Sequence, residues 1–272
     1  MYNDLFSIGP FTIHGYGLMI AIGVVVAMVV SDKRAAKRGL NGELVYGLTI
    51  WTIVLGFLCA KVLYIITLFK DFLANPRAFL NGSGFVVFGG IIGGVATIWG
   101  YCRLHKVRFI DMFDLVIPSV AIAQGFGRIG CLLAGCCYGK PTNSAIGIVF
   151  SHSEYAPNGV KLIPTQIIMS VGDFIIGGIL FWLADRWEKR IMEERGLESR
   201  PSGTEGRVGL AYLTLYSIGR FFIEFFRDDY RGSVGVLSTS QFIGILVVAV
   251  CAVIYYLRFV RAEKKAPVER ED

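Results

Sequence analysis

The sequence is short of charge. Asp, Glu, Lys and Arg make up 18% of its 272 residues, against ~25% in an ordinary soluble domain. Its six cysteines follow neither the framework of a small secreted disulfide domain nor the paired CxxC spacing of a zinc module. No long run alternates polar and apolar residues as a barrel strand would. No internal repeat of roughly 20–50 residues is visible, and no soluble domain fits between the apolar runs. Together these absences leave a single domain, residues 1–272, of membrane-embedded helices.

What is present is apolar: 54% hydrophobic residues and a mean hydropathy of +0.58. Seven stretches stand out, about Thr12–Ser31, Val45–Phe69, Phe85–Cys102, Met112–Ala134, Ile167–Ala184, Val208–Phe226 and Phe242–Leu257. Most reach the ~17–25 residues that cross a bilayer as a helix, and the last does so by extending into its flanks. The expected fold class is therefore an all-α integral membrane protein with seven transmembrane helices. The connections at 32–44, 103–111, 185–207 and after residue 257 carry 18 Lys and Arg, and the alternate ones carry six. By the positive-inside rule the N-terminus lies outside and the C-terminus in the cytoplasm. The net charge of +6 is thereby assigned to the anionic inner leaflet rather than to nucleic acid. No basic residue precedes the first segment, which reads as a retained helix and not a cleaved signal.

Three cations fall inside the apolar segments: Lys61, Arg128 and Arg220. In the expected topology all three lie roughly 9–12 Å below the outer ends of their helices, at 1.5 Å rise per residue. His14, Tyr16, Gly89 and Gly90 enter at a similar depth. Glu224 follows Arg220 by four residues, so that cation has a partner on its own helix. Arg128 has no carboxylate at i±3 or i±4. Such a residue either ties helices together or marks a functional site, since an intramembrane arginine costs at least ~2.5 kcal/mol to insert. Clustered cations at lipid depth suit a phosphate, two of whose oxygens a guanidinium can bind in parallel. Gly127 and Gly130 beside Arg128 allow close approach of either lipid or a neighbouring helix. Gly89 and Gly93, with Gly90 and Gly94, form two GxxxG pairs that read as helix packing.

Several stretches carry a resemblance: SIGPFTIHGYGLM at 7–19, FGGIIGG at 88–94, GRIGCLLAGCCYG at 127–139, PTQ at 164–166, GRFFIEFFR at 219–227 and LSTSQ at 237–241. In this order, over nearly the whole chain, they resemble the prolipoprotein diacylglyceryl transferases. The resemblance implies a bacterial inner-membrane enzyme with its site toward the outer leaflet. Its substrates would be phosphatidylglycerol and the lipobox cysteine of a lipoprotein precursor, joined as a thioether with release of glycerol 1-phosphate. It implies Arg128 and Arg220 at the headgroup and leaving phosphate, Glu224 holding Arg220, and Tyr16 in the first helix. Lys61, Gly89, Gly90, Gly127, Gly130, Gly139 and Gln166 would line the substrate. Neither cofactor nor metal is implied, and oligomeric state is left open.

The chain also departs from the family pattern. Cys131 and Cys136 stand where the signature has asparagine and glutamate, Ala134 where it has a second asparagine, and Phe88 replaces a histidine often proposed as base. The usual HPxQLYE reads Ile163-Pro-Thr-Gln-Ile-Ile-Met169, and Lys61 stands for an arginine. The thiol base is then His14, Tyr16 or none, with the cationic field lowering the thiol pKa. Cys131, Cys136 and Cys137 read as packing residues or a structural disulfide in preference to catalysis or metal binding. A break at Gly135–Gly139 would bring the first two together. His105 and His152 are expected in solvated loops. A thiol oxidoreductase using Cys136 and Cys137, and a non-catalytic lipid-binding protein, are the competing readings.

Overall fold

The structure is a computed structural model that describes residues 4–8, 11–81, 84–201, 203–229 and 232–261. The basic residues from Lys264 onward and Arg231 lie outside the described residues. Seven helices are long and apolar enough to cross a membrane. They are α1 (Gly15–Lys37), α2 (Gly42–Thr67), α5 (Val87–Leu104), α6 (Phe109–Ala134), α7 (Thr165–Arg195), α8 (Arg207–Ile223) and α9 (Thr239–Tyr255), with two short helices, α3 (Phe69–Ala74) and α4 (Pro76–Asn81), between α2 and α5. The chain is thus the all-α seven-span protein that its apolar runs predict.

The ends differ from the apolar runs for local reasons. Thr12 begins no helix. Phe11–His14 forms a strand, β2, antiparallel to β1 (Asp4–Ile8), and α1 starts only at Gly15. The last eleven residues of α7, Asp185–Arg195, are polar but rich in Glu, Lys and Arg; these are good helix formers, so the helix runs on past its apolar span. Helix α9 opens with a capping box, the Ser238 hydroxyl and the Gln241 side chain each satisfying the other's backbone N–H, and continues as a π turn at Tyr256–Val260. These additions give the short seventh segment the length to span.

Helix α6 is the most buried of the seven. It packs against α1 on one side and α7 on another, while α2 pairs with α5 and α8 with α9. Glycines set the closest of these contacts. A Cβ on Gly93 would lie 2.5 Å from Cys59 Cβ, and one on Gly89 2.5 Å from the Cys59 carbonyl, so α5 meets α2 almost backbone to backbone. Two apolar clusters flank α6. One joins Ala35, Val45, Leu48, Cys102, Met112 and Leu115; the other joins Ile117, Ala121, Leu180, Ala184 and Val208.

The two ends of the bundle are built differently. At the end with the basic connections, the buried Glu188 of α7 pairs with Arg38, just past the end of α1, and receives a hydrogen bond of 2.9 Å from Arg200. Nearby, the fully buried Asp114 accepts from Thr204 Oγ1 (2.6 Å) and from the backbone N–H groups of Thr204, Gly206 and Gly209. Asp114 of α6 therefore caps the start of α8 across the bundle, supplying a negative charge where the helix dipole is positive. At the opposite end, the connection from α6 to α7 folds over the helices. A two-residue hairpin, β3 (Ile148–Val149) with β4 (Lys161–Leu162), buries Phe150, Ala156 and Leu162 against Leu132 and Tyr138. A second small hairpin, β5 (Ser233–Val234) with β6 (Leu237–Ser238), leads into α9.

Candidate active site

The last two turns of α6 and the facing parts of α7 and α8 gather most of the buried charge at the hairpin-covered end. Arg128, on α6, has 18% of its side chain exposed and faces Asp173 of α7, 5% exposed. Its Nε lies 3.9 Å from Asp173 Oδ2, which neutralises charge without forming a hydrogen bond. Among the described residues neither of these two buried atoms has a hydrogen-bond partner.

The neighbouring arginines are held more firmly. Arg220 of α8 contacts Glu224 at 2.5 Å and donates to Ser240 Oγ at 3.0 Å. Arg227, only 2% exposed, pairs with Asp229 at 2.5 Å, donates to Met169 Sδ at 3.5 Å and lies 3.9 Å from Glu224. Three guanidiniums are thus balanced by three carboxylates. The pair at Arg128 is the loosest, and it is the one from which an incoming anion displaces least.

Between α7 and α8 lies a cavity of about 570 Å³, within the ordinary range of ~300–1,000 Å³ for small-molecule sites. Asp173, Tyr216 and Arg220 supply its polar wall, and Ile168, Ile176, Phe222 and Ile223 much of the remainder. Polar groups at one wall and aliphatic side chains around it match the two halves of an amphiphile. Tyr212, one turn before Tyr216, donates to Gln124 of α6 at 2.8 Å and fixes α8 against the arginine-bearing helix.

The cysteines sit where α6 ends. Gly135 is left-handed, φ +73°, a conformation that glycine adopts without strain. The Cys136 N–H bonds the Cys131 carbonyl and the Gly135 N–H that of Leu132, the paired bonds of a Schellman turn. This reversal brings the three Sγ atoms of Cys131, Cys136 and Cys137 within 4.8 Å of one another. All six cysteines of the chain are thiols in the structure. Hydrogen bonding to its two neighbours raises the Cys136 thiol above the usual range. The start of α7 fixes the turn from below. Thr165 Oγ1 donates to the Cys137 carbonyl at 2.7 Å, and Gln166 Nε2 donates to the Cys136 carbonyl at 2.8 Å.

The other residues singled out from the sequence are distributed around this centre. Tyr16 is packed on Gly130, where a Cβ would come within 3.1 Å of its ring, and Arg128 precedes Cys131 by three residues on α6. Gly127 faces open space. Gly139 is the junction where the loop bonds Ile163 and pairs with Arg227. His14 is exposed and contacts Asp4 at 2.6 Å across the first hairpin. Lys61 bonds the Gly84 carbonyl at 3.3 Å and lies 4.9 Å from the Phe85 ring, contacts that belong to the α2–α5 pair. Gly90 is loosely apposed to Gly56 of α2. His105 and His152 are exposed, as expected.

Asp173, Tyr216 and Arg227 complete the centre but were not among the sequence candidates. Asp173 carries the same signal as Arg128, an ionisable residue inside an apolar run, and a search for acids as well as bases finds it. Arg227 follows the last apolar residue of its run and so reads as a loop residue, whereas Lys140 N bonding Phe226 O folds that loop back over the site.

Fold and site together define a multi-pass membrane protein with a cavity between α7 and α8 whose wall includes Arg220 and Asp173, the counter-ion of Arg128. The sequence profile described as prolipoprotein diacylglyceryl transferase matches residues 3–257, and the chain belongs to that family. It is 43% identical over 247 residues to a phosphatidylglycerol–prolipoprotein diacylglyceryl transferase of Clostridium tetani, covering 90% of this chain and 93% of that protein. It is equally 43% identical to transferase 2 of Clostridium perfringens, over 93% and 94% of the two chains. A Dehalococcoides mccartyi protein of the same name is 30% identical over 96% and 95%.

Proposed function

We propose that the protein transfers the diacylglyceryl group of phosphatidylglycerol to the thiol of a lipobox cysteine in a lipoprotein precursor, acting as one seven-helix domain in a bacterial inner membrane. Sulfur attacks the glyceryl carbon that bears the phosphate ester. The carbon–oxygen bond breaks, its electron pair stays on oxygen, and glycerol 1-phosphate leaves while a thioether forms. The thiol proton passes to the leaving phosphate or to water.

The observation that carries this reading is Arg128, whose buried Nε has no hydrogen-bond partner among the described residues and whose counter-ion Asp173 lines, with Arg220, the cavity between α7 and α8. Negative charge develops on the leaving phosphate, and preorganised donors aimed at it typically supply the largest part of catalysis. Arg128 is assigned to that phosphate with Arg220 beside it, and Glu224 and Asp229 hold Arg220 and Arg227 in place. The aliphatic lining takes the acyl chains. Tyr16, packed on Gly130 of the arginine-bearing helix, is assigned to the path of the incoming cysteine. The asymmetry of basic residues supports a site facing the outer leaflet, where lipoprotein precursors emerge.

The test is direct transfer. Purified protein is incubated with phosphatidylglycerol labelled in its acyl chains and with a lipobox peptide in Cys and Ser forms. Label on the Cys peptide alone supports the assignment. Binding of phospholipid with no label on either peptide overturns it in favour of a lipid-binding role.

A further inference from the structure

We propose that Cys131, Cys136 and Cys137 form a three-thiolate site for a zinc-type divalent ion, whose open fourth position binds the incoming lipobox thiol as thiolate. The proposal rests on the transferase reading above and adds to it the group that activates the nucleophile.

The geometry comes first. In a tetrahedral zinc site Zn–S is about 2.3 Å, which sets sulfur atoms about 3.8 Å apart. The three Sγ atoms here already lie within 4.8 Å of one another, at the widest about 1 Å beyond that spacing. Soft thiolates in a tetrahedral arrangement select zinc over magnesium or calcium. Three protein ligands with one vacancy is the pattern of catalytic zinc, whereas structural zinc has four.

The backbone is built to hold this arrangement. The cluster depends on two left-handed residues, Gly135 at φ +73° and Cys137 at φ +60°; the second is strained for a residue with a Cβ. A disordered surface turn would relax that strain. Here Thr165 and Gln166 clamp the carbonyls of Cys137 and Cys136 from α7, and both donors are fully buried. Such outer contacts orient the ligands of metal centres.

Placement and charge agree. Three thiolates and one Zn²⁺ carry a net charge of −1, and Arg128 and Cys131, three residues apart on α6, lie on one face of that helix. The same arginine faces the phosphate in the transfer reading, so a metal-bound thiolate and the ester it attacks would be adjacent. The chain has Phe88 on an exposed face at the start of α5 and His14 turned to Asp4. Phe88 has no proton-accepting group and His14 is already bonded to Asp4, while the carboxylate that does lie beside Arg128, Asp173, serves as its counter-ion. A metal removes the need for a base, because a coordinated thiol is deprotonated outright. In the step, the substrate thiol gives its proton to water on binding zinc. Its sulfur pair then attacks the glyceryl carbon, the C–O pair departs with the phosphate, and the neutral thioether, a weaker ligand, dissociates. Zinc undergoes no redox change.

The experiment uses full-length protein purified under reductant without chelator, with bound metal measured by mass spectrometry and Co²⁺ then substituted as an optical probe. Expected are a stoichiometric ion and cobalt–thiolate charge-transfer bands that intensify with Cys lipobox peptide and not with Ser peptide. Cys136→Ser should weaken the ion by about 100-fold or more and Gln166→Ala by about 10–100-fold, while Cys251→Ser leaves it unchanged. Failure to bind zinc or cobalt under reducing conditions, with all three thiols open to titration, overturns the site. A disulfide among the three as purified that, once reduced, still takes no metal does the same. Metal held with bands indifferent to the Cys peptide overturns its role in thiol activation. None of these readouts needs turnover, so failure of the transfer assay is distinguished from failure of the site.

Discussion

Arg128 and Asp173 are a buried pair separated by 3.9 Å, and that gap sets what each substitution does. Replacing Arg128 by Ala removes the guanidinium that faces the phosphate. Transfer should fall by at least ~10²–10³-fold, the size of effect seen when one preorganised donor is lost. Lys at this position keeps the charge but cannot present two parallel donors, so Arg128→Lys should recover only a small part. Thermal unfolding in detergent accompanies the assay, and wild-type-like transfer by the Ala variant would refute the assignment. Asp173→Asn behaves differently, because it leaves a buried cation without its counter-charge. The expected loss is about 3 kcal/mol or more of stability. If Arg128 meets an anionic headgroup, phosphatidylglycerol should restore much of that loss and diacylglycerol should not. Equal rescue by both lipids would place the phosphate elsewhere.

At the scale of elements, α8 carries Arg220 and is positioned at both ends by groups from other helices. Its start is capped by Asp114 of α6 through four hydrogen bonds. Its last turns are fixed by Tyr212 on Gln124 and by Arg220 on Ser240 of α9. Asp114→Asn puts an amide NH₂ against N–H donors and removes the charge at the helix start. Unfolding should ease by about 3 kcal/mol or more, with transfer lost in proportion to folded protein. An unaltered melting temperature would show that the cap is redundant. This cap also marks the limit of what sequence conveys. The seven spans were legible because a bilayer demands about 20 apolar residues per helix, and Arg128 was legible because it violates that demand. The partnership of Asp114 with Thr204, ninety residues on, has no local pattern. The same holds for Asp173 facing Arg128 across two helices, and for Phe11–His14, whose apolar residues read as helix until pairing with β1 takes them. The cysteine turn was half legible. Gly135 signalled a break, but only its left-handed geometry shows three thiols converging.

For the whole molecule, the two ends of the bundle are chemically opposite, and orientation follows from which end the membrane potential and anionic lipid retain inside. Among the described residues the connections at one end hold 15 Lys and Arg against five at the other, and the richer end is braced by the Glu188 hub that joins α1, α7 and Arg200. A reversed insertion would carry that hub and its basic loops across the bilayer, against the rule that short basic loops stay on the cytoplasmic side. Inserted as the rule requires, the protein would turn the cavity, the arginines and the thiol turn toward the outer leaflet. Two exposed positions report this, Ser144 in the folded connection and Glu194 near the end of α7. In intact spheroplasts, a membrane-impermeant maleimide should label Ser144→Cys above the wild-type background and spare Glu194→Cys until the membrane is opened. The inverse pattern would put the arginine centre on the cytoplasmic side, where a precursor's lipobox has not yet emerged, and the transfer reading would fail with it.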